Sequence, residues 1–309
     1  MLLRPTPLLL VLLCCSLAAC GSIGCGSKKG PLTIAELRAR ARAVKSPEGK
    51  ARELVKVAAS QAATDKGGAA DTLAEALAAI PADGQPLAAV PVLVDIATTF
   101  GEIGERASAK KAIGVAAGMT DRVTDPLGRS QLLALVGMAQ GSRTSGSGDV
   151  KAAKATLAEA ARLAATEVPE RFRGKALAAV ASGYADAGLA SEAREMIGTL
   201  EELAAKLDDL RPKAEAFAAA AAVRAAVGES EAAGKLLDEA AKAARGIEDF
   251  PANRAYALIA VAKAFGSAGD AKRATALLAE AEKAASKVGD PQQQKEALRA
   301  VRGLQAKFE

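Results

Sequence analysis

One pattern constrains this chain more than any other feature: a glycine recurs about every 40 residues, with small and aliphatic residues following it at fixed distances. The glycines are Gly104, Gly148, Gly188, Gly228 and Gly269. Five residues after each comes alanine (Ala109, Ala153, Ala193, Ala233, Ala274), and nine after each comes isoleucine or leucine (Ile113, Leu157, Ile197, Leu237, Leu278). Side chains three or four residues apart share one face of a helix. The pattern therefore predicts a stack of repeated helical units in place of one globular core.

A second helical pattern precedes each glycine. Large apolar residues stand eleven residues before it (Leu93, Leu177, Phe217, Leu258), and a proline ends each unit (Pro126, Pro169, Pro212, Pro251, Pro291). One interval between glycines is longer because a Gly- and Ser-rich run, residues 141–148, is inserted there. Each unit is predicted to be a helix, a tight turn and a second helix. The turn needs glycine either for a positive φ or for close approach of the two helices.

This order of residues resembles the tetratricopeptide repeat. An aromatic residue precedes the turn at Phe100, Tyr184 and Phe265. The chain departs from that family because it lacks the early tryptophan, has Gln140 and Arg224 at two aromatic positions, and has a period near 40 instead of about 34 residues. The resemblance covers residues 89–290, with weaker similarity from residue 46, and implies an all-α, right-handed α-solenoid of about five to six helix-turn-helix repeats. A HEAT-like stack is the alternative.

The two ends of such a stack need to be covered. Residues 32–88 are predicted to form an irregular helical N-terminal cap. Residues 291–309 are predicted to form a single C-terminal capping helix, with Leu298 and Val301 on its apolar side.

The first residues of the chain have the pattern of an export signal. Arg4 precedes the twelve-residue apolar run 8–19, which is shorter than the roughly 20 residues that a membrane span needs. Leu17-Ala18-Ala19-Cys20-Gly21 resembles the lipobox of bacterial lipoproteins. The resemblance implies that residues 1–19 are removed as a signal peptide, that Cys20 is lipidated, and that residues 20–31 form a flexible tether. An ordinary signal peptide is the alternative, and Cys25 lies in a poorer match.

Basic residues are concentrated next to this anchor. Residues 28–56 contain nine Lys and Arg against three Glu, although the whole chain has a net charge of only +5. This segment either contacts an anionic membrane surface or is a solvated helix face. Nucleic acid is not an expected partner, because the rest of the chain is slightly acidic and poor in aromatic residues.

The composition argues against an enzyme. The chain has no histidine, which removes histidine general bases, Ser–His and Cys–His nucleophiles and most zinc sites. We therefore predict a non-enzymatic protein without cofactor or metal.

The tetratricopeptide resemblance implies that the first helix of each unit lines a concave groove. The predicted partner-binding residues on this face are Met138, Lys175, Ser182, Tyr256, Ile259 and Lys263. Tyr256 has a competing role, namely packing on the closing helix around Leu298. The predicted floor of the groove consists of small side chains with charges of both signs, and it suits a helix or an extended segment of another protein.

A basic residue also recurs near the start of each first helix, at Arg129, Arg173, Lys213 and Arg254. These cations either bond the carboxylates or end carbonyls of the preceding helix, or form a column that binds an acidic partner.

Together these features predict a monomeric, lipid-anchored interaction scaffold in the bacterial cell envelope, of the type that serves envelope assembly or secretion. Gly21 after the cysteine, in place of Asp, favours the outer membrane facing the periplasm by the sorting preference of enteric bacteria. A structural spacer without a client and a carrier of apolar small molecules are the alternatives.

The lipobox resemblance gives the first testable prediction. Cys20→Ser should leave the precursor unlipidated and uncleaved, because no thiol remains at the predicted acylation site. Metabolic labelling with an alkyne fatty acid measures this, with Cys25→Ser as the matched control that keeps its label. Undiminished label on Cys20→Ser would show that the anchor lies elsewhere.

Overall fold

The computed structural model describes residues 32–142 and 146–308, which form fourteen α-helices. They are α1 (Ile34–Arg42), α2 (Pro47–Gln61), α3 (Lys66–Ala79), α4 (Pro86–Glu102), α5 (Arg106–Thr120), α6 (Pro126–Gly141), α7 (Val150–Thr166), α8 (Glu170–Asp186), α9 (Ala190–Lys206), α10 (Leu210–Ala226), α11 (Ser230–Arg245), α12 (Pro251–Ser267), α13 (Ala271–Ala285) and α14 (Pro291–Phe308). The predicted signal peptide (1–19), Cys20, Cys25 and the tether (20–31) lie outside the described residues.

The helices from α2 to α13 form six antiparallel pairs, each made of an even-numbered first helix and the following odd-numbered second helix. Each first helix packs against the first helices before and after it, whereas successive second helices make at most marginal backbone contact within the described residues. The first helices therefore form an inner layer and the second helices an outer one. This arrangement confirms the predicted all-α, solenoid-like repeat fold.

The five recurring glycines form the turns inside the pairs. Their φ angles are 94°, 70°, 77°, 88° and 85° for Gly104, Gly148, Gly188, Gly228 and Gly269. A Cβ built on any of them would meet nothing within 4 Å, so the backbone conformation requires glycine and crowding does not. In four turns, the amide of the residue after the glycine donates to the carbonyl of the residue four positions before the glycine, at 2.8–2.9 Å. At Gly188, for example, the Leu189 amide donates to the Tyr184 carbonyl.

The residues at the repeated apolar positions form the core. The alanines five residues after each glycine and the aliphatic residues nine after it are at most 3% exposed. The predicted positions before the glycine are buried as well, except for Phe217, which is only half-buried. This core runs as several clusters along the stack, so each unit buries its apolar residues against its neighbours.

The first helices α6 and α8 approach each other closely around Leu157 of α7. A Cβ on Gly137 of α6 would lie 2.6 Å from Leu157 Cγ, and one on Gly183 of α8 would lie 2.7 Å from Leu157 Cδ2 and 3.0 Å from the carbonyl oxygen of Ala134. A methyl group at either position would displace Leu157, so α6, α7 and α8 pack together at these glycines.

Helix starts follow the aspartate–proline pattern of the sequence. Asp125 accepts a hydrogen bond from the Gly128 amide at 2.7 Å, and Asp290 accepts one from the Gln293 amide at 2.7 Å. In both, proline occupies the first helical turn, where its missing N–H costs nothing.

The ends of the stack are more regular than the sequence pattern indicated. Within the predicted N-terminal cap, α2 and α3 pair like the later helices, and α4 begins at Pro86 and so crosses the expected boundary at residue 88. Helix α1 is tied to α3 because Arg38 and Arg42 both bind Glu75, at 2.9 and 2.5 Å, and the Arg42 hydrogen bond lowers the pKa of Glu75 to about 2. At the other end, α14 packs on α12 and α13 as a capping helix.

None of the helices in the described part of the chain is both long and apolar enough to span a bilayer.

The turn geometry gives a prediction for Gly188. Gly188→Val should lower the free energy of unfolding by more than about 1 kcal/mol, because a β-branched residue is strained at a positive φ. Gly188→Asn should cost less, since asparagine adopts this region more readily. Urea unfolding measures both changes. Equal costs for the two variants would contradict a requirement set by φ.

Candidate binding groove

The inner layer contains an open cavity of about 530 Å³ between α8 and α10. We call it the inner cavity. Leu127 at the start of α6 borders one end, and Asn253 at the start of α12 borders the other. The remaining lining residues are Glu170, Arg171, Phe172, Gly174, Lys175, Ala178, Leu207, Asp209, Arg211, Pro212, Glu215, Ala216 and Ala219. The inner cavity therefore spans the first helices of four successive units.

The floor of the inner cavity is formed by small residues. Ala178 of α8 and Ala216 and Ala219 of α10 line it, and Gly174 lies opposite Ala216, whose Cβ is 3.5 Å from a Cβ built on the glycine. Because these side chains are short, two neighbouring helices pack closely and still leave space above them. This floor can accept an apolar side chain from outside, since it offers no buried charge to desolvate.

Arg211 is held in one orientation across the inner cavity. Its Nε donates to Glu215 Oε1 at 2.9 Å, and its Nη1 donates to Asn253 Oδ1 at 3.0 Å. The guanidinium carbon lies 5.4 Å from the centre of the Tyr256 ring. These partners belong to α10 and α12, so Arg211 joins two units. The ion pair is too exposed to add much stability, and its main effect is to orient a cation whose Nη2 has no hydrogen-bond partner among the described residues.

The rim of the inner cavity combines an exposed aromatic ring with cations. Phe172 is 38% exposed, and the guanidinium carbon of Arg171 lies 4.6 Å from its ring centre. Lys175 is exposed one helical turn further along α8, and no carboxylate of the described residues lies within ion-pair distance of it. Glu170 and Asp209 supply negative charge, so the lining is mixed in sign.

Of the six residues predicted to bind a partner, Lys175 lines the inner cavity. Ser182 and Lys263 are exposed on first helices, whereas Met138 and Ile259 are half-buried against the core. Met138, Ser182, Ile259 and Lys263 do not line the inner cavity, and the binding role of all five residues stays a prediction.

Tyr256 has a structural environment of its own. It is half-buried and packs, together with Leu298 of α14, against a small cluster that includes Ala255 and Ala297. It also lies beside Arg211. The packing role that the sequence allowed for Tyr256 is therefore present, and its ring contacts Arg211, which lines the inner cavity.

Sequence reasoning missed Phe172, Arg171, Arg211 and Asn253. A signal for two of them was available, because Arg171 and Arg211 occupy the second position of successive first helices, one repeat apart. Leu127 occupies the same position in α6. The inner face predicted from the sequence begins one helical turn later, at Lys175 in α8, and so does not include these helix starts.

The basic residues near the helix starts bond the preceding helix. Lys213 Nζ donates to the carbonyls of Leu207 and Ala205 at 3.1 and 3.3 Å, and Arg173 Nη2 donates to that of Val168 at 3.5 Å. Arg129 pairs with Asp121 at 3.2 Å. A cation at a helix C-terminus is favourable, so the structural interpretation is confirmed for these three.

The remaining basic position, Arg254, lines a separate cavity of about 220 Å³ with Glu248 and Glu280. Gln294 takes the same place in α14 and donates to the carbonyls of Ser286 and Val288 at 3.0 and 3.3 Å. A neutral amide can therefore replace the cation, because the shared role is to satisfy end carbonyls.

The described residues contain no group of three or more His, Cys, Asp or Glu side chains placed to hold a metal ion.

Comparison with known proteins gives no family. No family model matches the chain, and no curated protein matches it. The crystal structure of Ton1535 from Thermococcus onnurineus NA1 is similar at 13% identity and a TM-score of 0.41, over 87% of this chain and 95% of that one. The assembly chaperone of RpL4 (Acl4, residues 1–338) is similar at 14% identity and a TM-score of 0.30, over 83% of this chain and 97% of that one. Likeness at this level carries no argument about function.

Proposed function

We propose that this chain is a monomeric scaffold of tetratricopeptide-like repeats that binds a segment of another protein in its inner cavity and performs no catalysis. The observation that supports this most is the combination of an alanine floor with an exposed Phe172 and a fixed Arg211 at the rim. Binding surfaces rely on aromatic and arginine side chains around an apolar centre. An extended or helical segment would place an apolar side chain on the floor and polar groups against Arg211 and Lys175.

A carrier of apolar small molecules is the weaker candidate. Such proteins enclose most of the ligand surface. The inner cavity is lined partly by exposed residues, among them Phe172 and Lys175, and by three carboxylates. These features suit a polypeptide that remains partly in solvent.

We further propose that the scaffold is lipid-anchored through Cys20 in the bacterial envelope, at the outer membrane and facing the periplasm. The lipobox resemblance and the adjacent basic segment 28–56 support this. Within that segment Arg38 and Arg42 pair with Glu75, and Lys56 pairs with Glu53 at 2.6 Å. The cations proposed to face an anionic leaflet are therefore Arg40, Lys45, Lys50 and Arg52.

The binding proposal predicts where a client will crosslink. A photoreactive amino acid at position 172 should give a protein adduct in intact envelopes, because this position lines the inner cavity. The matched control is position 115 on the outer helix α5, since Val115 and Phe172 are equally exposed at 38%. Filling the floor with Ala219→Leu should abolish the adduct, whereas Ala155→Leu on the exposed side of α7 should not.

Each alternative gives a different result. A spacer without a client gives no adduct at position 172, and a small-molecule carrier gives an adduct that adds only a small mass. Equal crosslinking from positions 172 and 115 would also contradict binding in the inner cavity.

A further inference from the structure

The outer helices are joined by ion pairs in the C-terminal half of the stack. Four contacts connect successive second helices or their caps: Lys154–Glu192 between α7 and α9 at 2.6 Å, Arg194–Glu229 between α9 and the start of α11 at 2.6 Å, and Asp238–Arg273 and Arg245–Glu280 between α11 and α13 at 2.9 and 2.7 Å. We call these the outer ion pairs. They span 35 to 38 residues of sequence, which is about one repeat.

The outer ion pairs lie between second helices, which have little other contact with one another in the described residues. Successive first helices pack directly on one another, but successive second helices make at most marginal backbone contact in the described part of the chain. The outer ion pairs are therefore the polar links that bridge the outer side of each joint from α7 to α13.

Glu229 strengthens one of these links by binding two cations. Its Oε1 accepts from Arg194 of α9, and its Oε2 accepts from Arg224 of α10 at 2.6 Å. Arg224 also binds Glu201 of α9 at 2.5 Å. Arg224 replaces the aromatic residue expected before the turn, so the departure from the repeat pattern supplies this network.

The second helices α5 and α7 are not joined by such an ion pair among their described residues. Lys110 of α5 stands six residues after its turn glycine, as Lys154 and Arg194 do in their units. The partner position in α7 is Ala152, where α9 has Glu192.

We infer that the outer ion pairs set the curvature of the stack from α7 to α13 and make it sensitive to ionic strength. Attraction between the outer helices limits how far they separate while the first helices act as the fixed inner contact. When the pairs are screened or removed, the outer helices move apart and the inner layer curves more tightly. The inference concerns the shape of the stack and does not depend on what the inner cavity binds.

Loss of the outer ion pairs should change the spacing of the outer helices much more than the free energy of unfolding. The members of these pairs are between 23% and 67% exposed, and exposed pairs contribute little to the free energy of unfolding. Raising the salt concentration from about 0.1 M to about 1 M shortens the screening distance from about 10 Å to about 3 Å. Screening should therefore change the spacing of the outer helices while the helices themselves remain folded.

Distances between spin labels on the outer face test the inference. Labels are attached to cysteines introduced in the full chain, with its four native cysteines replaced by serine. Positions 155 in α7 and 276 in α13, each seven residues after a turn glycine, span the helices that the outer ion pairs connect. Positions 111 in α5 and 155 in α7 span the two helices without such a pair. Salt should shift the first distance to longer values and leave the second unchanged, with helical circular dichroism constant in both.

Charge reversal provides the matched variants. Arg245→Glu should lengthen the distance between positions 155 and 276 at low salt, and Arg245→Glu with Glu280→Arg should restore it. Lys242→Glu on the same helix is the control, because Lys242 is exposed and has no ion pair among the described residues. No lengthening in Arg245→Glu, equal lengthening in Lys242→Glu, or an equal salt effect between positions 111 and 155 would each overturn the inference.

Discussion

The close approach of α6 and α8 over Leu157 is the contact on which the rest of the stack depends. Gly183 and Gly137 allow it because a methyl group at either position would overlap Leu157. Alanine is the small residue on the second helices, at the repeated positions five residues after each turn glycine, which are almost completely buried. Small side chains bring the helix axes together but bury little apolar area, so each unit needs its neighbours for stability.

The same constraint shapes the inner surface. A layer built from short side chains has a floor of alanine, and the aromatic and arginine groups at its rim stand where helices begin. Phe172 and Arg211 stand at such positions, and Arg211 reaches Asn253 in the next unit. Beside these same helix starts, Lys213, Arg173 and Gln294 satisfy the carbonyls at the C-terminal ends of the preceding second helices. The units are thus joined in two ways, by packing of small side chains in the middle of the helices and by polar contacts at the helix ends.

Much of the fold could be predicted from sequence because the information is local and repeated. The turn glycines, the buried alanines and the aspartate–proline helix starts each depend on residues within one unit. Contacts between units could not be read in this way. Arg211 meets Asn253 across 42 residues, and Glu75 binds Arg42 across 33. The pairing of α2 with α3 was indicated only weakly by the sequence, because its turn has no glycine at the repeated position and Asp65 caps α3 instead.

The central claim is that glycine is required where the first helices α6 and α8 meet, in spite of its low helix propensity. The most direct measurement compares urea unfolding of Gly183→Ala and Gly198→Ala, both inside helices. At Gly198 a Cβ meets nothing within 4 Å, so alanine should stabilise by about 0.5–1 kcal/mol. At Gly183 the new methyl group must displace Leu157 or the Ala134 carbonyl, so alanine should destabilise. Stabilisation by both substitutions would contradict the account.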